Sequence, residues 1–129
     1  MLKGGILNPN VNSLLSRVRH TNTLVIADRG FPFWPAIETI DLALVDDIPR
    51  VTDVLGALLP NFVVGRVYLA AEFFENNSPQ TAKVLQDMLQ GIEVVMEPHV
   101  AFKQRVPSAI GLIRTAETNP YSNLILESA

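Results

Sequence analysis

The sequence predicts an α/β fold: a single layered domain over residues 1–129, with a mostly parallel central sheet flanked by helices and its last strand pair antiparallel. Three observations lead there. Short Val/Ile/Leu-rich runs of strand length alternate with segments whose apolar residues recur at helical spacing, the pattern of β–α units around a parallel sheet. The final two runs are joined by a short polar turn, which suits antiparallel neighbours. The chain has 129 residues, 48% of them hydrophobic, which is enough for one core and the usual size of one domain.

Each element has its own signal. Gly4-Gly5 and Asn8-Pro9-Asn10 make an extended start and a turn, with Asn10 or Asn12 able to cap a helix. Val11, Leu14, Leu15 and Val18 stand at helical spacing, so Val11–Arg19 reads as a short amphipathic helix with Arg17 and Arg19 at its basic end. Thr23–Ala27 is a buried strand ending on Asp28, and Asp28–Pro35 is a loop crowded with Phe31, Phe33 and Trp34. Three aromatics in a loop suit a pocket wall, an interface, or a loop folded onto its own core. Thr39–Leu44 reads as a second strand. A turn at Asp46–Pro49 leads into a helix with Pro49 in its first turn, an apolar face from Val51 to Leu59, and a stop at Pro60.

Val63–Ala71 is nearly all apolar and reads as a central strand closed by Glu72. A loop over Glu75–Pro79 carries a cap at Ser78. The helix Pro79–Gln90 turns Val84, Leu85, Met88 and Leu89 inward and stops at Gly91. Ile92–Met96 is a strand, Pro98–Arg105 a short helix, Ala109–Arg114 a strand, Thr115–Tyr121 a polar turn and Asn123–Leu126 the last strand.

Composition narrows the function. Ten Lys+Arg against 13 Asp+Glu give a net charge of −3, which offers no basic footprint for nucleic acid or an anionic membrane. Mean hydropathy is positive and only 18% of residues are charged, which suits a surface partly covered by other subunits. There are no cysteines, so disulfides, thiolate nucleophiles and Cys-based zinc sites are out. No signal-peptide core or membrane-length apolar run stands out, and the expected location is cytoplasmic.

Only two histidines are present, His20 after a helix end and His99 opening a helix. Neither sits in an apolar run, and a histidine titrating near neutrality suits proton transfer. Taken alone, each is better explained by a surface or capping role. No second ligand stands at metal spacing, so no metal site is expected. Asp28 closes a strand at the end where open parallel sheets collect ligands, although Asp before Arg-Gly is also ordinary turn chemistry. Lys103 lies one helical turn beyond His99. Arg114, Glu117, Tyr121 and Asn123 cluster around the last turn, and Tyr and Asn suit neutral polyols. No Gly-rich phosphate cradle and no Gly-x-Ser-x-Gly elbow is present. What is left is acid–base and hydrogen-bonding equipment without a cofactor. An extended strand separates His20 from Asp28, so a shared ligand requires His20 to fold back or the site to lie between subunits.

Read together, Gly5-Ile6-Leu7-Asn8, His20-Thr21, Val25-Ile26-Ala27-Asp28 with Gly30 and Pro32, Ile40-Asp41 with Ala43-Leu44, His99 with Phe102-Lys103, and Ile113-Arg114-Thr115 with Glu117, Pro120-Tyr121, Asn123 and Ile125-Leu126 form a collinear pattern. It resembles the ribose pyranase / fucose mutarotase family. The resemblance implies a cofactor-independent, metal-free isomerase that interconverts ring forms of a free reducing monosaccharide. It also implies a homo-oligomer of pentameric rings, a decamer, with sites between subunits. His20 would be the principal acid–base residue with Asp28 beside it. His99, Lys103, Tyr121 and Asn123 would bind or protonate the sugar, and Arg114 and Glu117 would complete the binding set.

The His99-x-x-Phe-Lys motif is closer to the branch acting on D-ribose pyranose and furanose. The alternatives are an anomer mutarotase of the L-fucose type and a non-catalytic monosaccharide-binding protein linked to sugar transport. The chain departs from the family pattern in the bulky Arg29–Trp34 loop and in an ending, Leu126-Glu-Ser-Ala, without a Gly-Val tail.

Overall fold

A computed structural model describes residues 1–129. Six strands form one sheet: β1 (Thr23–Ala27), β2 (Glu38–Asp41), β3 (Val64–Ala70), β4 (Glu93–Glu97), β5 (Gly111–Arg114) and β6 (Leu124–Ser128), in the order β2-β5-β1-β6-β3-β4. β1–β5, β2–β5 and β3–β4 are parallel ladders, and β6 runs antiparallel to both β1 and β3. Five helices accompany it: α1 (Pro9–Arg17), α2 (Val51–Leu58), α3 (Glu72–Asn76), α4 (Pro79–Met88) and α5 (His99–Arg105), with single 3-10 turns at Leu59–Asn61 and Val106–Ser108.

The sheet is buried on both faces at its centre. Successive strand residues point to opposite sides, so Leu24 and Ile26 of β1 join one core while Val25 and Ala27 join the other. The larger core gathers Val11 and Leu14 of α1, the Val51–Leu58 face of α2, Phe73 of α3 and Leu85 of α4. The smaller core is closed by Phe102 of α5 and by Val106, over Val25, Tyr68, Leu112 and Ile125. A continuous apolar run is what two covered faces require, which is why β1 reads so plainly in the sequence.

Several expectations change. The last strand is antiparallel as expected, but its partner is not β5: β1 lies between them, so the Thr115–Asn123 turn crosses over β1 instead of closing a hairpin. β3 is interior but not central, since β1 and β6 occupy the middle. The cap of α1 is Asn8, whose side chain accepts the Asn10 and Val11 N–H groups at 2.9 and 3.0 Å, rather than Asn10 or Asn12. Pro49 falls before α2, whose first turn is closed by Asp53 accepting the Arg50 N–H at 2.7 Å. Pro60 does not end the helix abruptly, because it fits the following 3-10 turn. Glu72 opens α3, a helix the sequence reading treats as strand end and loop. Val84 faces outward, and Ala82 takes the inward position with Leu85 and Leu89. Ser78 caps α4 as expected, accepting the Thr81 N–H.

At Gly111 of β5 the sheet and helix α1 approach closely. A Cβ there would lie 2.7 and 3.0 Å from the two terminal carbons of the buried Leu14 and 3.2 Å from the Glu38 carbonyl. Replacing Gly111 with alanine should therefore lower unfolding stability by about 1–3 kcal/mol, the usual cost of overpacking. Chemical denaturation against the parent chain checks this.

Candidate functional site

All five parallel strands end at one edge of the sheet, and the reversed strand β6 begins there. That edge therefore collects Asp28 after β1, His99 after β4, the segment after β5, and Asn123 just before β6. They line a cleft of about 340 Å3 together with Phe31, Glu117 and Tyr121. This volume lies within the range of small-molecule pockets.

Asp28 and Asn123 grip one another. The Asp28 N–H donates to Asn123 Oδ1 at 2.7 Å, and Asn123 Nδ2 donates to Asp28 Oδ2 at 3.2 Å. The Gly30 N–H donates to Asp28 Oδ1 at 3.0 Å. Asp28 is nearly buried, and that burial pushes its carboxyl above the ordinary 3.8, opposed by the Gly30 and Asn123 hydrogen bonds.

His99 stands in an aromatic cage. Its ring stacks on Phe102 at 5.9 Å between centroids and meets Tyr121 edge-on at 5.0 Å and Phe31 at 6.1 Å. Its Nε2 is buried without a hydrogen-bond partner. Its backbone N–H donates to the Glu72 carboxylate at 2.9 and 3.2 Å, which fixes the start of α5. Burial lowers the imidazole below 6.5, and Lys103 adds to this, while Glu72 and Asp28 oppose it. A neutral ring at pH 7 follows, able to accept a proton.

The loop after β5 forms the remaining wall and is tied down on every side. The Thr115 N–H and hydroxyl both donate to the Ala27 carbonyl at 2.8 Å. The Arg29 N–H donates to the Glu117 carbonyl, and the Thr118 N–H and hydroxyl donate to Asp47 Oδ1. Glu117 is 5% exposed; Arg50 and the Thr118 and Asn119 N–H groups all reach its Oε2. Burial raises the Glu117 carboxyl, and the Asn119 N–H and Arg50 restrain the rise. Tyr121 sits at φ 57, in the left-handed region, at the cleft side of this braced loop.

Of the residues singled out from the sequence, Asp28, His99, Glu117, Tyr121 and Asn123 meet in the cleft. Three do not. Arg114 points to the other side of the Asp28 loop, where it pairs with Asp41 at 3.0 Å and donates to the Arg29 carbonyl at 2.9 and 3.2 Å. It holds the loop rather than lining the cleft. Lys103 lies beside Trp34 and Val100, outside the cleft.

His20 is exposed at the amino end of β1, a strand length on the order of 15 Å from the opposite edge. It does not fold back. It sits in a tight turn closed by the Asn22 N–H donating to the Arg19 carbonyl, with Thr21 at φ 66. The Thr21 N–H donates to the Ser128 carbonyl, clasping that turn to the far end of β6.

The sequence reading misses Glu72 and leaves Phe31 open among three roles. Phe31 lines the cleft, Trp34 packs beside the smaller core, and Phe33 is 74% exposed. No three His, Asp or Glu side chains gather as metal ligands. No helix is long and apolar enough to cross a membrane.

Comparison with known proteins agrees with this architecture. A family model described as the RbsD / FucU transport protein family matches residues 1–129. A D-ribose pyranase of Staphylococcus aureus (strain USA300 / TCH1516) is 37% identical over 130 residues, covering 99% of this chain and 97% of the relative. The structure of Bacillus subtilis RbsD complexed with D-ribose superposes with a TM-score of 0.94 at 35% identity, covering 100% of this chain and 98% of that one. The fucose mutarotase of Streptococcus pneumoniae in complex with L-fucose gives 0.84 at 18% identity over 99% and 98% of the two chains, a likeness of fold alone.

With only two histidines, the imidazole signals are separable by NMR once His99→Gln identifies one of them. The His99 signal should titrate below 6.5. Glu72→Gln should move its midpoint further down, because a stabilising negative charge is lost, and Lys103→Met should move it up.

Proposed function

The chain belongs to the RbsD / FucU family, and we propose that it is a sugar-ring isomerase acting on free D-ribose, exchanging its pyranose and furanose forms. The observation that carries this reading is the convergence of Asp28, His99, Tyr121 and Asn123 on one cleft, from positions spread along the chain, in a fold matched by a D-ribose complex.

The residues suit the reaction. Opening a hemiacetal removes the proton of the anomeric hydroxyl, breaks the bond between the anomeric carbon and the ring oxygen, and delivers a proton to that oxygen. The open aldehyde then recloses through a different hydroxyl. Neither electrons nor groups leave the sugar, so proton donors and acceptors suffice. Neutral His99 is ready to accept or relay a proton, and the Tyr121 hydroxyl and Asn123 amide are suited to sugar hydroxyls. Asp28 holds Asn123 in place and presents a carboxylate at the same wall.

His20 enters from a neighbouring copy. Its exposure on a pinned turn at the opposite edge of the sheet, and the sequence's apolar excess, favour a homo-oligomer with each cleft completed across a subunit contact; the family resemblance implies pentameric rings, a decamer. Exposed Leu44, Val45 and Ile48 on one loop supply apolar surface for such contacts. A cysteine-free chain is compatible with the reducing cytoplasm.

Saturation-transfer NMR on D-ribose should show faster exchange between pyranose and furanose signals when the protein is added. His20→Ala and His99→Ala should each slow it by about 10²–10⁴-fold. Mixing the two variants after dissociation and reassembly should restore roughly a quarter of the parent activity, because about that share of contacts then pairs an intact His20 with an intact His99. No recovery means that each copy supplies its own histidines. No exchange by the parent chain overturns the isomerase reading.

A further inference from the structure

Behind the cleft lies a second cavity of about 360 Å3, on the far side of the Asp28–Pro35 loop. The walls the two spaces share are Phe31 and Pro32. We infer that the Phe31 ring is the partition that sets how long a sugar this chain accepts, excluding the extra hydroxymethyl group of a hexose from the space beyond it. The inference rests on the proposed sugar-ring isomerase reading and adds the size limit of its substrate.

The partition is held firmly. Phe31 packs edge-on against both His99 and Phe102, each with centroids 6.1 Å apart. Its backbone N–H donates to the Asp28 carbonyl at 3.4 Å. The loop beneath it is tied by the Arg29 N–H to the Glu117 carbonyl and by Arg114 to the Arg29 carbonyl. These contacts seat the ring between the two spaces, where it limits the length of the cleft.

The space beyond has chemistry of its own. Leu112 and Phe33 line it with Asp41 and Arg114, which are paired to each other. Thr39 also lines it, and its hydroxyl is buried without a hydrogen-bond partner. A buried hydroxyl of this kind is costly to leave unpaired and is well suited to meet one more sugar hydroxyl. Cutting back Phe31 joins the cleft to this cavity and offers Thr39 that partner.

D-allose is the right probe, because its pyranose is D-ribopyranose carrying one additional CH2OH on the ring. NMR exchange rates for both sugars are compared in the full-length protein, in Phe31→Ala and in Phe31→Leu. The D-allose to D-ribose ratio should rise at least about tenfold in Phe31→Ala and less in Phe31→Leu, within the range a pocket change of one carbon unit commands. Adding Thr39→Val to Phe31→Ala should reverse most of that gain.

Ligand line broadening on the same samples reads the binding ratio independently of catalysis. An unchanged ratio in both readouts, in variants that unfold cooperatively like the parent, overturns the partition. If Phe31→Ala does not fold, Phe31→Leu and Phe31→Val decide by the same ratio. If the parent accelerates neither sugar, the isomerase reading fails, and the binding ratio still decides whether Phe31 limits sugar size.

Discussion

β6 hydrogen-bonds to β1 on one side and to β3 on the other, antiparallel to both, and so joins two parallel halves of the sheet into one. Its reversal decides where the chain before it must be. A parallel strand in that slot would begin at the opposite edge and leave Tyr121 and Asn123 far from Asp28. Because β6 runs backward, Asn123 arrives at the carboxyl edge, one residue before the strand, within reach of both the Asp28 N–H and its carboxylate. The braced crossover from β5 supplies Glu117 and Tyr121 on the way.

Burying Asp28 at this junction has a thermodynamic cost. Its carboxyl is raised in the folded chain, so the stability it lends is complete below the ordinary 3.8 and is lost as pH rises through the folded value. Above the folded value the fold carries a desolvated carboxylate against its own stability. The Gly30 N–H and the Asn123 amide offset part of that cost, and the polar wall they form is the one a sugar would meet. A buried carboxyl beside a histidine in one cleft is the arrangement the proposed reaction would use.

Much of this was legible in the residues. Thr23–Ala27 was readable to its ends because both faces of the central strand are covered, leaving an uninterrupted apolar run. Asp28, His99, Tyr121 and Asn123 were legible as a set only through the family pattern, since each has an ordinary local explanation. Strand pairing was not legible. A nine-residue turn between β5 and β6 looks like a hairpin connection, and nothing local shows that β1 will be inserted between them. Glu72 was hidden for a related reason: its partner, the His99 N–H, lies 27 residues away. Arg114 has the chemistry of a ligand-binding residue but is spent on Asp41 and the Arg29 carbonyl, and sequence cannot distinguish those uses.

The clasp between the Thr21 N–H and the Ser128 carbonyl puts the His20 turn at one end of the same strand whose other end leads from Asn123. The His20 turn and the Asn123 cleft thus stand at opposite ends of one strand, and under the proposed assembly a cleft would meet only the His20 of a neighbouring copy. Where the cleft borrows His20 from a neighbour, turnover becomes a collective quantity governed by mass action: dilution that separates copies extinguishes it without unfolding any of them. Sugar bound across the contact would in turn hold the copies together, coupling assembly to supply of the substrate.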